Sequence, residues 1–281
     1  MAESPPEGAA RSLMGLVELV PAAPYRFTVS RLPATPNGVL GSGLLAAAVL
    51  ASGATISGEL RAVSLHAAFL RAGRPGGPVE LTVARLHDGR TLAGRQVTVT
   101  QAGRRLVDVV VRFHRPAVEG RSWQPSRQPP PPAPSAGRPE EAVPSTMTLL
   151  DGFEIRGAGR SGPDGRPVLH PYWVRARHPL GDDPAVHAAL VAFLSDIGVS
   201  GSALAPDTPM GRRLRAVSLD HSLWWHRPCR VDEWLLIDAA PLTNAGGRGL
   251  ARGEVWNESG ELVASLAQEV LAERPHPAAA T

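Results

Sequence analysis

The chain has 281 residues, of which 43% are hydrophobic and 20% charged, a composition typical of soluble globular proteins and sufficient for two domains. Its 29 basic and 26 acidic side chains nearly balance, and no long run of like charge occurs, which argues against a nucleic-acid partner. The single cysteine, Cys229, excludes an intrachain disulfide and a multi-cysteine zinc site, and it favours a reducing, cytoplasmic location.

The two ends of the chain are expected to be frayed and to carry no function. Residues 1–12 are small, polar and proline-containing, and residues 276–281 are rich in proline and alanine. The N-terminus lacks the basic and apolar regions of a signal peptide, and no stretch reaches the roughly 18 apolar residues of a membrane span. The sequence therefore predicts a cytoplasmic protein without a membrane span.

The first predicted element is a helix over Gly41–Ala54, which is apolar on every face and must therefore be buried. Asp88-Gly89 and Ala102-Gly103 then supply turn residues at the spacing of β-hairpins. The predicted strands around these turns are Arg61–Arg71, Val79–Leu86, Leu92–Gln101 and Arg105–Arg115. The order is a buried helix followed by an antiparallel meander, within a first module that spans residues 13–123.

A proline-rich segment follows the first module. Eight prolines lie between Gln124 and Pro144, including the run Pro129–Pro132. Such a composition has few backbone donors and few apolar side chains, so it does not build a core. Residues 124–147 are therefore predicted to be a solvent-exposed linker between the two modules.

The second module, residues 148–273, repeats the order of the first. Asp183 and Pro184 have the residue types of a helix N-cap and first position, and apolar residues recur at helical spacing until Gly198. The strands predicted after this helix are Arg215–His226, Glu233–Ala240, Arg248–Asn257 and Leu262–Leu271. The second module is thus also predicted to be a helix followed by antiparallel strands.

Separated landmarks of the two modules share one offset. It is 156 residues for the pair Arg71 and Arg227, and 157 for the pair Arg95 and Arg252. A near-constant offset over this distance indicates two copies of one unit, which bury a shared surface. The predicted fold class is α+β, a double hot-dog in which a central helix wrapped by an antiparallel β-sheet occurs twice.

Several motifs of the chain resemble those of the acyl-CoA thioesterase II family. In the C-terminal half they are Leu219–Pro228, Asp232–Leu236, Arg248-Gly249, Arg252–Glu254, Gly260–Ser265 and Ala267–Glu269. In the N-terminal half they are Ser64–His66, Phe69–Arg71 and Leu86–Arg90. The similarity covers residues 39–115 and 150–272. It implies hydrolysis of an acyl-CoA substrate to fatty acid and CoA, no bound cofactor or metal, and a homo-oligomer, either a dimer or a tetramer of double hot-dogs.

The resemblance also implies a catalytic set. The family combines an Asp near the end of the second helix, a Thr or Ser on the next strand and a Gln on the last strand, which fall here on Asp196, Ser218 and Gln268. The chain departs from the family at Gly43, where a Gln is usual, so no function is assigned to the N-terminal half. A thioester carbonyl is already electrophilic, so a proton acceptor and groups that orient a water would suffice.

Each of these residues also has an ordinary structural interpretation. Asp196 alone would be read as a solvent-facing residue at a helix end, and Ser218 as an ordinary strand serine. Gln268 is less usual, because it lies in a mostly apolar run and a buried amide needs partners. Only the joint match favours the catalytic interpretation.

Two alternative functions remain open. A hot-dog enoyl-CoA hydratase would pair an Asp and a His on one helix, where this chain offers Asp196 and His187, nine residues apart. A catalytically silent acyl-CoA or acyl-carrier binding module is the second. A metal cluster of Asp220, His221 and His226 matches no common zinc spacing, and strand-end packing is favoured for these three. No G-x-S-x-G motif occurs, which argues against an α/β-hydrolase.

Overall fold

The structure is a computed structural model of the chain and describes residues 18–35, 38–116, 121–124, 138–139, 150, 152–157, 170–204 and 215–273. Its helices are α1 (Gly41–Gly53), α2 (Pro184–Asp196) and α3 (Val199–Ser202). The strands of the N-terminal half are β1 (Val20–Ala23), β2 (Arg26–Val29), β3 (Ala34–Thr35), β4 (Gly38–Val39), β5 (Arg61–Phe69), β6 (Val79–Asp88), β7 (Leu92–Gln101) and β8 (Arg104–His114). The remaining strands are β9 (Arg138–Pro139), β10 (Phe153–Gly157), β11 (Tyr172–Ala176), β12 (Arg215–Trp225), β13 (Leu235–Ala245), β14 (Arg248–Asn257) and β15 (Leu262–Glu273).

Thirteen of the described strands form one antiparallel sheet. Its order is β1-β2-β6-β7-β8-β5-β12-β15-β14-β13-β11-β10-β9, so β5 and β12 join the two halves at the centre. From that centre outward, β5-β8-β7-β6-β2 on one side corresponds to β12-β15-β14-β13-β11 on the other. The fold is the predicted α+β double hot-dog.

The two long helices lie side by side and antiparallel against this sheet. A Cβ on Gly41 would lie 3.2 Å from the Asp196 carboxylate, while a Cβ on Gly53 would lie 3.9 Å from Ala185. Each end of α1 therefore meets the opposite end of α2. Helix α1 is buried on nearly every face, as its uniformly apolar sequence predicts.

The helices begin differently. The Asp183 carboxylate accepts a hydrogen bond of 2.9 Å from the Ala185 amide and Pro184 occupies the first turn, so α2 begins with the predicted cap. Helix α1 follows Leu40, and no side chain caps its first turn. The Gly43 amide donates to the Leu40 carbonyl (3.2 Å), and the start of α1, with the partial positive charge of its first amides, faces the Asp196 carboxylate.

The apolar run from Pro184 to Ser202 meets the length and composition expected of a membrane helix, but 56% of its most apolar stretch is buried inside the protein. Gly198, in the left-handed region at φ 76°, separates α2 from α3 within this run. The central helix of a globular core has the same composition, so this run is no evidence for a membrane span.

The strand pairing repeats in detail. Ser222 of β12 pairs with His66 of β5, its counterpart at an offset of 156 residues. The pairing of β5 with β8 shifts between Ala62 and Ser64, and that of β12 with β15 shifts between Ser218 and Asp220. Both modules therefore carry a β-bulge at the same position, and a pseudo-twofold axis passes beside His66 and Ser222.

The structure adds strands that the sequence patterns do not predict. β1, β2, β10 and β11 are four or five residues long and precede the central helix of each half. Within the predicted linker, Arg138–Pro139 pairs with β10, and the Gln124 amide contacts the Gly260 carbonyl (2.8 Å) and the Leu262 amide (2.9 Å). The other linker residues, including Pro129–Pro132, lie outside the described residues, so their exposure stays a prediction.

Candidate active site

The structure brings Ser218 and Gln268 into direct contact. β12 and β15 are antiparallel neighbours, and the Gln268 Nε2 group donates a hydrogen bond of 2.8 Å to Ser218 Oγ. Gln268 is fully buried, so this contact supplies one of the partners that a buried amide needs. The predicted serine and glutamine thus form one unit.

His221 connects this unit to the end of α2. Its Nδ1 atom lies 2.8 Å from Gln268 Oε1, and its Nε2 atom lies 2.9 Å from the hydroxyl of Ser195, the residue before Asp196. Ser195, His221 and Gln268 are all fully buried. A continuous chain of hydrogen bonds therefore runs from the C-terminal end of α2 to Ser218.

The β-bulge decides which side chains face this site. Residues 218 and 221 are an odd number of positions apart, so in a regular strand their side chains would point to opposite faces of the sheet. The pairing shift between Ser218 and Asp220 adds one residue and turns both side chains to the same face. His221 and Ser218 can then both contact Gln268.

Burial sets the protonation of His221. Removal from water is the largest influence and lowers the pKa of His221, while the charge of Asp196 and the hydrogen bond to Gln268 act in the opposite direction. The ring is therefore neutral at physiological pH. With Nδ1–H donating to Gln268 Oε1, Nε2 faces the Ser195 hydroxyl, whose proton is shared between this nitrogen and the Ala192 carbonyl, each 2.9 Å from Ser195 Oγ. In this arrangement Ser218 accepts from Gln268 and keeps its own proton to donate.

Asp196 lies where α2 ends and α1 begins. Its Oδ1 atom is buried, with no hydrogen-bond partner among the described residues, and its Oδ2 atom faces the first residue of α1, Gly41. A buried carboxylate oxygen without a partner is costly, and such groups are kept where they act on a ligand.

Tyr172 of β11 lies next to the site, near the end of α2. Its side chain is buried, and its hydroxyl lies 3.5 Å from the Leu194 carbonyl of α2. Burial, together with the nearby charge of Asp196, raises the pKa of Tyr172 well above its ordinary value. The phenol is therefore neutral and adds no second negative charge beside Asp196.

Neither the Asp–His pair of a hydratase nor the suggested metal cluster forms among the described residues. His187 lies near the opposite end of α2, where its ring contacts the Gly181 carbonyl (2.9 Å) and the Val231 amide (3.1 Å), so it is not paired with Asp196. His226 contacts Ser265 rather than His221. Within the described part of the chain, no group of three or more His, Cys, Asp or Glu side chains is placed to hold a metal.

Two contributions were missed at the sequence level. His221 was interpreted as a packing residue, although a histidine at an inward position of an apolar strand, opposite a glutamine, was a usable signal. No function was assigned to the N-terminal half, yet its helix α1 places Gly41 against Asp196. The available signal was a helix that begins with Gly41 and no capping side chain.

Comparisons with known proteins identify the same family in both halves. Residues 28–114 match the acyl-CoA thioesterase N-terminal domain, and residues 124–272 match the acyl-CoA thioesterase C-terminal domain. The second match begins at the first residue of the predicted linker. Together the two matches cover most of the chain.

Individual proteins similar to this chain have names that match the same family. Human acyl-coenzyme A thioesterase 8 is 30% identical over 75% of this chain and 73% of its own length, and Haemophilus influenzae acyl-CoA thioesterase 2 is 27% identical over 74% and 78%. The crystal structure of an acyl-CoA thioesterase II from Mycobacterium marinum superposes with a TM-score of 0.79 at 28% identity, covering 94% of this chain and 98% of that one. With both domains matched in order, the chain belongs to the acyl-CoA thioesterase family.

Proposed function

We propose that this protein hydrolyses fatty acyl-CoA thioesters to free fatty acid and CoA by direct attack of water. The observation that carries the proposal is the pairing of two features in one place. The carboxylate of Asp196, with one oxygen unpartnered among the described residues, lies beside the start of α1 at Gly41. The hydrogen-bonded chain of His221, Gln268 and Ser218 is joined to Ser195, the residue before Asp196. In this proposal Asp196 removes a proton and the start of α1 stabilises the oxyanion. The chain that ends at Ser218 orients the attacking water.

In the proposed reaction, Asp196 accepts a proton from the attacking water as its oxygen bonds to the thioester carbon. The carbonyl oxygen becomes an oxyanion, which the N–H groups in the first turn of α1 are placed to stabilise. The C–S bond then breaks, and the CoA thiolate takes the proton from Asp196. The products are a carboxylic acid and a thiol, and the carboxylate returns to its starting state.

Ser218 and Gln268 orient the water in this scheme. Gln268 donates to Ser218 Oγ, so the Ser218 proton and the second Gln268 N–H remain for the water and the developing charge. Among the described residues, the hydrogen-bond partner of Ser218 Oγ is Gln268, a neutral amide that does not activate the hydroxyl as a nucleophile. No covalent acyl-enzyme is therefore part of the proposal.

The test is thiol release across acyl-CoA thioesters of increasing chain length. Hydrolysis with a preference for one range of lengths supports the proposal and gives its specificity. Binding of acyl-CoA without thiol release would instead support the catalytically silent module. Mass spectrometry of enzyme quenched during turnover should find no acyl group on Ser218, and a covalent adduct there would contradict direct attack by water.

The proposal also covers the cellular location and the oligomeric state of the enzyme. A single free thiol supports a role in cytoplasmic fatty-acid metabolism, and family resemblance supports a homo-oligomer, either a dimer or a tetramer. Burial raises the pKa of the Cys229 thiol to about 12, so this cysteine is unreactive under ordinary conditions. Light scattering coupled to gel filtration tests the oligomer, since a monomeric mass at micromolar concentration would contradict it.

A further inference from the structure

The pseudo-twofold axis that relates the two modules places a second position equivalent to the candidate active site at the opposite end of the helix pair. At the first position, the start of α1 meets the end of α2 beside β12 and β15. At the second, the start of α2 meets the end of α1 beside β5 and β8. The matching bulges in β5 and β12 show that the local strand geometry is the same in both places.

The second position lacks the counterparts of Asp196, Ser218, His221 and Gln268, but it keeps a buried serine, Ser52, where the first position has Ser195. Equivalent residues follow from the last positions of the two 13-residue helices and from the strand register. The first module has Gly53 for Asp196, Ala62 for Ser218, Leu65 for His221 and Val111 for Gln268. The start of α2 is already capped by Asp183 and carries Pro184, so its amides are not free to bind an oxyanion. This position therefore cannot catalyse hydrolysis as proposed for the other.

Although the counterparts of the candidate catalytic residues are gone, the position still holds a cavity. A cavity of about 380 Å³ lies there, within the volume range of sites that bind small molecules. Gly53 and Ala62, the counterparts of Asp196 and Ser218, both line it. Most of its remaining lining is apolar, and it includes Ile56, Phe113 and Trp225. Such a lining suits a hydrocarbon chain and not a polar ligand.

Charged residues at the same cavity favour an anionic headgroup. Arg61, which is exposed, and Arg227 both line the cavity. The lining carboxylate is Asp183, which is engaged in capping α2. The Arg227 guanidinium already contacts Glu261 (3.8 Å), the Leu262 carbonyl (2.8 Å) and Ser122 Oγ (2.9 Å), so Arg61 is the arginine that can meet a ligand. One such cation suits a monoanion, whereas the several phosphate charges of CoA would need more cations.

From this arrangement we propose that the second position is a non-catalytic binding site for a free fatty acid, with the acyl chain in the apolar cavity and the carboxylate at Arg61. The inference rests on the proposed function, because the ligand is the product of that reaction.

The experiment measures quenching of tryptophan fluorescence by a fatty acid brominated on its chain, since Trp225 lines the cavity. The tryptophan fluorescence of the parent protein should be quenched when the brominated fatty acid saturates the site. Trp225→Phe should lose the part of the quenching that comes from Trp225. Gly53→Leu fills the cavity and should weaken binding at least tenfold. Gly53→Ala is the matched control, because its Cβ meets only Ala185 at an ordinary 3.9 Å, and it should bind like the parent.

Equal binding by Gly53→Leu and Gly53→Ala would overturn the proposal. If Gly53→Leu melts at a lower temperature than the parent, Ala188→Leu fills the same cavity from α2 and gives the same test.

Arg61→Gln should weaken binding and Arg61→Lys should restore part of it. A brominated acyl-CoA thioether that quenches Trp225 as well as the free acid does would overturn the choice of ligand. Thiol release measured on the same proteins is independent of this signal, so failure of the proposed function would be seen separately.

Discussion

Gly41, the first residue of α1, lies against Asp196, the last residue of α2, and a Cβ on Gly41 would come within 3.2 Å of the Asp196 Oδ2 atom. The same Cβ would lie 3.0 Å from the ring of Phe69 on its other side. Each half of the chain therefore contributes to the site, the first by the backbone of a helix start and the second by a carboxylate. Only glycine lets the two approach this closely without a shift.

Gly41→Ala is therefore expected to reduce kcat by about tenfold or more, because the added methyl group displaces the carboxylate or the helix start from its position. Stability should change little, since alanine favours the helix by up to ~1 kcal/mol and offsets part of the contact. Steady-state kinetics and thermal melting of Gly41→Ala and Gly53→Ala, the same change at the other end of α1, provide the test. Unchanged kcat for Gly41→Ala would show that this contact has no role in turnover.

Asp196→Asn should lower kcat by about 10²–10⁴, because an amide cannot accept the proton of the attacking water. Ser218→Thr should keep substantial activity, since threonine retains a hydroxyl that can accept from Gln268 and donate to water. Steady-state thiol release measures both variants. An Asp196→Asn variant as fast as the parent would remove Asp196 from the mechanism.

Gln268→Ala should impair turnover by removing a hydrogen-bond partner of the water and the developing charge. His221→Leu should act more weakly, by up to about 10²-fold in kcat, because Gln268 remains but loses the contact that orients it. Leucine occupies the equivalent position in the first module, so the fold should accept it. His221→Asn retains a donor near the Nδ1 position and should recover part of kcat, whereas equal loss in both variants would indicate a purely structural role.

The free energy of unfolding should decrease as the pH is lowered. Desolvation lowers the pKa values of His221 and His170 in the folded protein below the value of about 6.5 that they regain on unfolding. Below pH 6.5 the unfolded chain therefore binds protons that the folded chain does not, and stability that is complete above that pH is progressively lost. Melting temperatures from pH 5 to 8 should show this slope, and His221→Leu should reduce it. An unchanged slope in the variant would mean that His221 is protonated in the folded state.

Deletion of Pro129–Pro132 should change the free energy of unfolding by less than about 1 kcal/mol, because loop length enters the closure entropy only logarithmically. Gln124→Ala should cost about 1–2 kcal/mol, since it removes the two hydrogen bonds that hold the start of the segment to Gly260 and Leu262. Melting curves compare the two variants. A loss of several kcal/mol on deletion would show that the proline run packs against the modules.

Local patterns in the sequence were enough to predict the two central helices, the eight long strands and the repeat of one unit. Hydrophobic periodicity, turn residues and the Asp183-Pro184 pair are properties of neighbouring residues, so they are readable without a structure. The short strands β1, β2, β10 and β11 were not predicted, because four or five residues carry too little periodicity. Asp196, Ser218 and Gln268 were selected by resemblance, and their catalytic role stays a prediction.

The tertiary structure decided which of these residues lie in contact. A bulge in β12 places Ser218 and His221 on one face, and strand register brings His221 opposite Gln268. The antiparallel packing of α1 and α2 brings Gly41 to Asp196 at one end and leaves an apolar cavity beside Gly53 at the other. Periodicity specifies which face of an element is buried but not which ends of distant elements meet, because that depends on the packing of both modules around their shared axis.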